Sequence, residues 1–90
     1  MLEKVRLALR VTTPAFDGEI TDLIAAALAD LGLAGVRTQT EEDPLITRAV
    51  ITYCRAHFGS PEDYERLKLS YDEQKAQLQT ADGYTDWGGQ

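Results

Sequence analysis

The chain carries a single cysteine, Cys54, and a single histidine, His57. One cysteine excludes an internal disulfide and a cysteine-built zinc site. The expectation is an intracellular or otherwise disulfide-independent protein. One histidine leaves nucleophilic triads and most general-base schemes hanging on a single side chain. No stretch approaches ~18 consecutive apolar residues, so no segment reads as a membrane span. The opening Met1-Leu2-Glu3-Lys4-Val5 is acidic by its third residue, which does not read as a signal peptide. Positive charge is scarce, with 9 Lys and Arg against 15 Asp and Glu and a formal net charge of −6. Without a basic run the chain lacks the footprint of a DNA-gripping domain, and an anionic membrane surface would repel it. No tandem repeat is evident.

What is present suits one small folded domain. The 90 residues are 43% apolar and 27% charged, which argues against wholesale disorder. A chain of this length buries only about 60–65% of its unfolded surface, too little for a large enclosed cofactor site. No cofactor and no metal are expected.

Apolar spacing predicts an all-α bundle of about four helices. Leu2, Val5 and Leu9 mark a first helix over 2–10. Thr12-Thr13-Pro14 interrupts it. Thr13 with Pro14, or Asp17, can cap the next helix; a turn through 12–16 with the helix starting near Asp17 is preferred, Phe16 preceding the cap. Ile20, Leu23, Ile24, Ala27, Leu28 and Leu31 then hold one apolar face for three turns, and Gly32 is expected as the left-handed cap. Gly18, Ala25 and Ala29 form a second face of small side chains that lets another helix approach. Residues 32–43 read as a long loop in which 36–40 are extended or a short strand. Asp43-Pro44 opens a third helix, nearly apolar all round and therefore central, which Gly59 ends. Ser60-Pro61 opens a fourth, from Pro61 to about Gln79, with Tyr64, Leu67, Tyr71 and Leu78 as its stripe. Leu69 falls off that stripe and is expected at the surface. Glu62 and Arg66 are spaced as an i,i+4 pair. The division is a helical domain over 1–79 and a flexible, glycine-rich tail over 80–90.

Few residues suggest chemistry. His57 near a helix end suits the helix dipole better than catalysis. Cys54 has no activating base beyond His57 and reads as a buried, inert thiol. Glu41, Glu42 and Asp43 lack the spaced ligands and glycine of a calcium loop, so they read as a solvated loop and a helix cap. Gly32-Leu33-Ala34-Gly35 follows a helix instead of preceding one, which excludes a phosphate cradle. Arg48 and Arg55 share a face of the third helix, as a solvated stripe or as an ionic contact with another subunit. Tyr84 and Trp87 are large aromatics in a polar tail. They read as a segment that orders on a partner, the alternative being a tail folded back on its own domain. Enzyme activity is the weakest class, for want of a convergent polar site.

The order and spacing of several blocks resemble the small head–tail connector proteins of tailed bacteriophages, also called head-completion or DNA-packaging proteins. The blocks are Leu2–Arg10, Ala15–Ile20 running into Leu23–Ala27, Asp43–Cys54 and Ser70–Leu78. The resemblance implies a non-enzymatic subunit of a homo-oligomeric ring of about a dozen copies. Such a ring docks on the portal protein at the capsid vertex, extends the DNA channel and receives a stopper or tail-completion protein. The location is then the virion head–tail junction, with no sequence-specific nucleic acid and no membrane as partner. Under that reading Gly18, Ala25, Ala29, Arg48, Arg55 and Leu69 are candidate subunit contacts. Tyr84 and Trp87 are assigned to the portal or another virion protein, and Glu41, Glu42 and Asp43 to the channel. The rival reading is a small acidic helical adaptor that binds one protein partner as a monomer or dimer.

Overall fold

The helix boundaries follow from local chemistry. The computed structural model describes residues 1–37 and 43–80. Its helices are α1 (Leu2–Leu9), α2 (Asp17–Leu33), α3 (Pro44–Phe58) and α4 (Tyr64–Thr80). Short 3₁₀ turns at Pro14–Phe16 and Pro61–Asp63 lead into α2 and α4. The fold is an all-α bundle, as the apolar spacing predicts.

Three starts use the same device, a side-chain oxygen ahead of a proline. Thr13 Oγ1 accepts the Ala15 N–H at 3.3 Å, and Ser60 Oγ accepts the Glu62 N–H at 3.3 Å. Asp43 Oδ1 accepts the N–H groups of Leu45 and Ile46 at 2.9 and 3.4 Å. Each satisfies donors that a helix start leaves unpaired. Thr13 and Asp17 therefore divide the work: Thr13 caps the 3₁₀ turn, and α2 proper begins at Asp17.

The ends of α1 and α2 depart from the sequence expectation. Gly32 is not the left-handed cap; α2 runs on to Leu33, and Gly35 takes the positive φ of 89°. The Val36 N–H bonds the Leu31 carbonyl at 2.9 Å and the Gly35 N–H bonds that of Gly32 at 3.0 Å. Val36 and Leu31 are both buried, so an apolar contact closes this Schellman arrangement and decides which glycine stops the helix. Of the segment 36–40 read as extended, 38–40 lie outside the described residues. α1 ends one residue early by the same pattern, with Val11 bonded to Arg6 and Arg10 to Leu7. Here Arg10 occupies the left-handed position at φ 60°, where a β-carbon costs about 1–2 kcal/mol.

The core forms around α3. Ile46, Ala49, Val50 and Cys54 are at most 1% exposed. They meet Val5 from α1, Ile20, Ile24, Ala27 and Leu31 from α2, and Tyr71 and Leu78 from α4. α3 packs against each of the other three helices. Fully burying one branched aliphatic side chain contributes about 1.5–3 kcal/mol, against about 0–1 for an exposed ion pair. Packing therefore sets the stability. Phe16 takes the N-cap position of α2 itself, where the sequence reading placed it before the cap, and lies edge-on to Phe58 with ring centroids 5.5 Å apart. Arg6 pairs with Asp17 at 3.3 Å and pins α1 to the start of α2. Arg66 pairs with Asp63 at 3.3 Å in place of the Glu62 partner that spacing suggested.

Gly59 has a steric reason to be glycine. A β-carbon there would sit 2.7 Å from the Arg55 carbonyl oxygen, whereas one on Gly32 meets nothing within 4 Å. Gly59→Ala is expected to lower unfolding free energy by about 1–3 kcal/mol, and Gly32→Ala to raise it by up to about 1 kcal/mol. Urea denaturation of the two variants against the wild type reads both signs.

Candidate functional site and assembly surfaces

The proposed contact residues lie outside the core. Gly18, Ala25 and Ala29 are all exposed on α2, so among the described residues no helix is packed over the small-residue face. Leu69 is 65% exposed. Sequence reading missed its companions: Leu33 is 90% exposed and Leu7 75%. Leu33 went unnoticed because Gly32 was expected to end the helix before it. Arg48 and Arg55 are both exposed on α3, but the structure places them in different neighbourhoods. Arg55 lines a notch of about 250 Å³ with Arg10, Leu9, Phe58 and Leu67. Arg48 borders a groove with Leu45, Gln74, Gln77 and Leu78. Asp43 serves as the cap of α3. Glu41, Glu42, Tyr84 and Trp87 lie outside the described residues.

The most elaborate polar arrangement joins α2 to α4 across the side of α3. A cleft of about 260 Å³ is lined by residues that include Asp30, Tyr53, His57, Tyr64, Tyr71 and Lys75. The Tyr71 hydroxyl donates to Asp30 Oδ2 at 2.6 Å, and Lys75 Nζ donates to the same oxygen at 3.1 Å. Lys75 also lies 5.3 Å from the centre of the Tyr71 ring. His57 sits between Tyr53 and Tyr64, at ring-centroid distances of 4.3 and 5.5 Å. One turn beyond Lys75, Gln79 Nε2 donates to the Ala34 carbonyl at 3.1 Å.

Electrostatics fix the protonation of this cluster. The Tyr71 hydrogen bond holds the Asp30 carboxyl below its ordinary value, against opposing desolvation and with help from Lys75. Burial, and then the bond to Asp30, pushes the Tyr71 phenol above its ordinary range. Burial raises Tyr53 as well, reinforced by the Asp30 charge. The pair is thus an ionised acceptor and a neutral donor near pH 7, which suits a lock between helices. Desolvation pushes the Cys54 thiol up to about 11, so it is protonated and buried. Among the described residues no His, Cys, Asp and Glu groups cluster with metal-ligating geometry, and no helix is long and apolar enough to cross a membrane.

Sequence periodicity found Tyr71 as a core position but not its partner. Asp30 and Tyr71 are 41 residues apart, and the apolar pattern carries no sign of that pairing.

The lock has a pH signature. The Asp30 carboxyl lies below its ordinary 3.8 when folded. Its contribution is therefore complete above that pH and lost as pH falls through the folded value. The Tyr71 phenol lies above its ordinary 10.0 when folded, so its contribution is complete below pH 10 and lost as pH rises. Tyr71→Phe is expected to cost about 1 kcal/mol at neutral pH, and Asp30→Asn to weaken the acid-side decline. Denaturation midpoints measured from acid to alkaline pH read both effects.

A family model described as Phage connector protein matches residues 1–85. No curated protein and no solved structure matches significantly.

Proposed function

The chain belongs to the phage connector protein family, a structural role in the virion, and from that premise we propose that it is one subunit of a homo-oligomeric ring. The ring docks on the portal at the capsid vertex, continues the DNA channel and presents a platform to the stopper or tail-completion protein. The observation that carries this reading is the extent of the family match, residues 1–85 of 90. The proposed role is non-enzymatic.

The exterior supports it. A heterologous ring needs two different faces on each subunit. The small-residue face at Gly18, Ala25 and Ala29 is one candidate. The outward side of α4, with exposed Leu69 and nearby acids and bases, is the other. Arg48 and Arg55 add cations that complement a neighbour within a chain of net charge −6. The same negative balance suits a channel through which DNA must slide, since strong attraction to phosphate would hold the DNA in place. Glu41, Glu42 and Asp43 are assigned to that channel, and Tyr84 with Trp87 to the portal.

Negative-stain microscopy of the chain, alone and mixed with the portal of its phage, tests this. The expected result is a ring in either sample, most tellingly a second tier stacked on the portal. Neither rings nor portal binding across a range of salt and protein concentration would overturn it.

A further inference from the structure

The groove between the start of α3 and the end of α4 has the marks of a docking site. It has a volume of about 190 Å³ and is lined by Leu45, Arg48, Gln74, Gln77 and Leu78. That is smaller than the ~300–1,000 Å³ of a small-molecule pocket, and it suits one or two protein side chains. Leu45 on its wall is 52% exposed. Gln74 Oε1 is buried and has no hydrogen-bond partner among the described residues. A buried acceptor left unpaired is destabilising, so this oxygen calls for a donor. Arg48 on the rim has no carboxylate partner among the described residues.

The chain itself supplies matching chemistry close by. Thr80, the last residue of α4, lies only about 3–5 Å along the helix axis from Gln77 and Leu78. Beyond it come Ala81-Asp82-Gly83-Tyr84-Thr85-Asp86-Trp87. Asp82-Gly83 is a chain-reversal signal, and Tyr84, four residues on, has at most about 14 Å of reach. Gln74, six residues before Thr80, lies about 9 Å back along the helix axis, within that limit. An aromatic ring laid on Leu45 would bury apolar area. The phenol O–H of Tyr84 or the indole N–H of Trp87 is the donor that Gln74 Oε1 lacks. Asp82 or Asp86 answers the Arg48 charge.

We infer that this groove is the docking site for the Tyr84–Trp87 segment of the same chain in the unassembled subunit. The inference stands apart from the connector reading. Where both hold, binding of the tail to the portal competes with the groove.

Trp87 is the sole tryptophan, so its fluorescence in the full chain reports docking without a partner present. The expected result is a blue-shifted emission, quenched by acrylamide at least about twofold more slowly than a free indole. It should persist over about a hundredfold dilution. Leu45→Glu combined with Arg48→Glu should red-shift the emission and remove the protection, while the far-UV circular dichroism spectrum at 25 °C keeps the wild-type helix content. A solvent-exposed indole in the wild type would overturn the inference, as would protection that survives the double variant. Protection lost on dilution would also overturn it, by assigning the groove to the tail of a second copy. None of these outcomes depends on portal binding.

Discussion

Everything else in this subunit depends on α3 being buried on several sides at once. Ile46, Ala49, Val50 and Cys54 leave almost no surface to water, and α1, α2 and α4 each pack on that helix. α2 has an apolar face of its own to offer. α4 has less: Leu67, Tyr71 and Leu78 are its only buried positions. Long polar side chains then make up the difference. Tyr71 and Lys75 converge on Asp30, and Gln79 reaches Ala34. These contacts tie the outer helices to one another where their backbones do not meet closely, so they orient α4 more than they stabilise it.

Much of this was legible because helix caps and apolar periodicity are local. Asp43-Pro44 and Ser60-Pro61 announce starts that the structure uses. The near-continuous apolar run Ala49–Cys54 announces a central helix, and the position of Leu69 off the α4 stripe announces its exposure. The misses share a physical cause. Gly32 and Gly35 are both competent to stop α2, and the choice falls to Val36, whose burial in the core formed by the other helices is a tertiary fact. Arg10 ends α1 in a left-handed conformation that no glycine signals. Asp30 reads as one acid among many until α4 is placed against it. Exposure of the small-residue face and of Leu69 is legible from helical spacing, whereas what covers them is not written in the apolar pattern of one chain.

The division of labour follows. The interior of this connector subunit is spent on holding four short helices in place, and its one cysteine and its carboxylate–phenol pair are held in unreactive protonation states. The small-residue face, the exposed leucines and the arginines on α3 lie at the surface. On the proposed reading, those surfaces join one subunit to the next in a ring.

The most direct measurement pairs Ala25→Arg and Ala29→Arg in one variant and compares its melting with its entry into the portal complex by sedimentation velocity. Both positions are exposed, so the melting temperature should match the wild type within about 2 °C. Incorporation into the portal-bound ring should be lost. A variant that assembles as well as the wild type would contradict the assignment of the α2 face to subunit contacts.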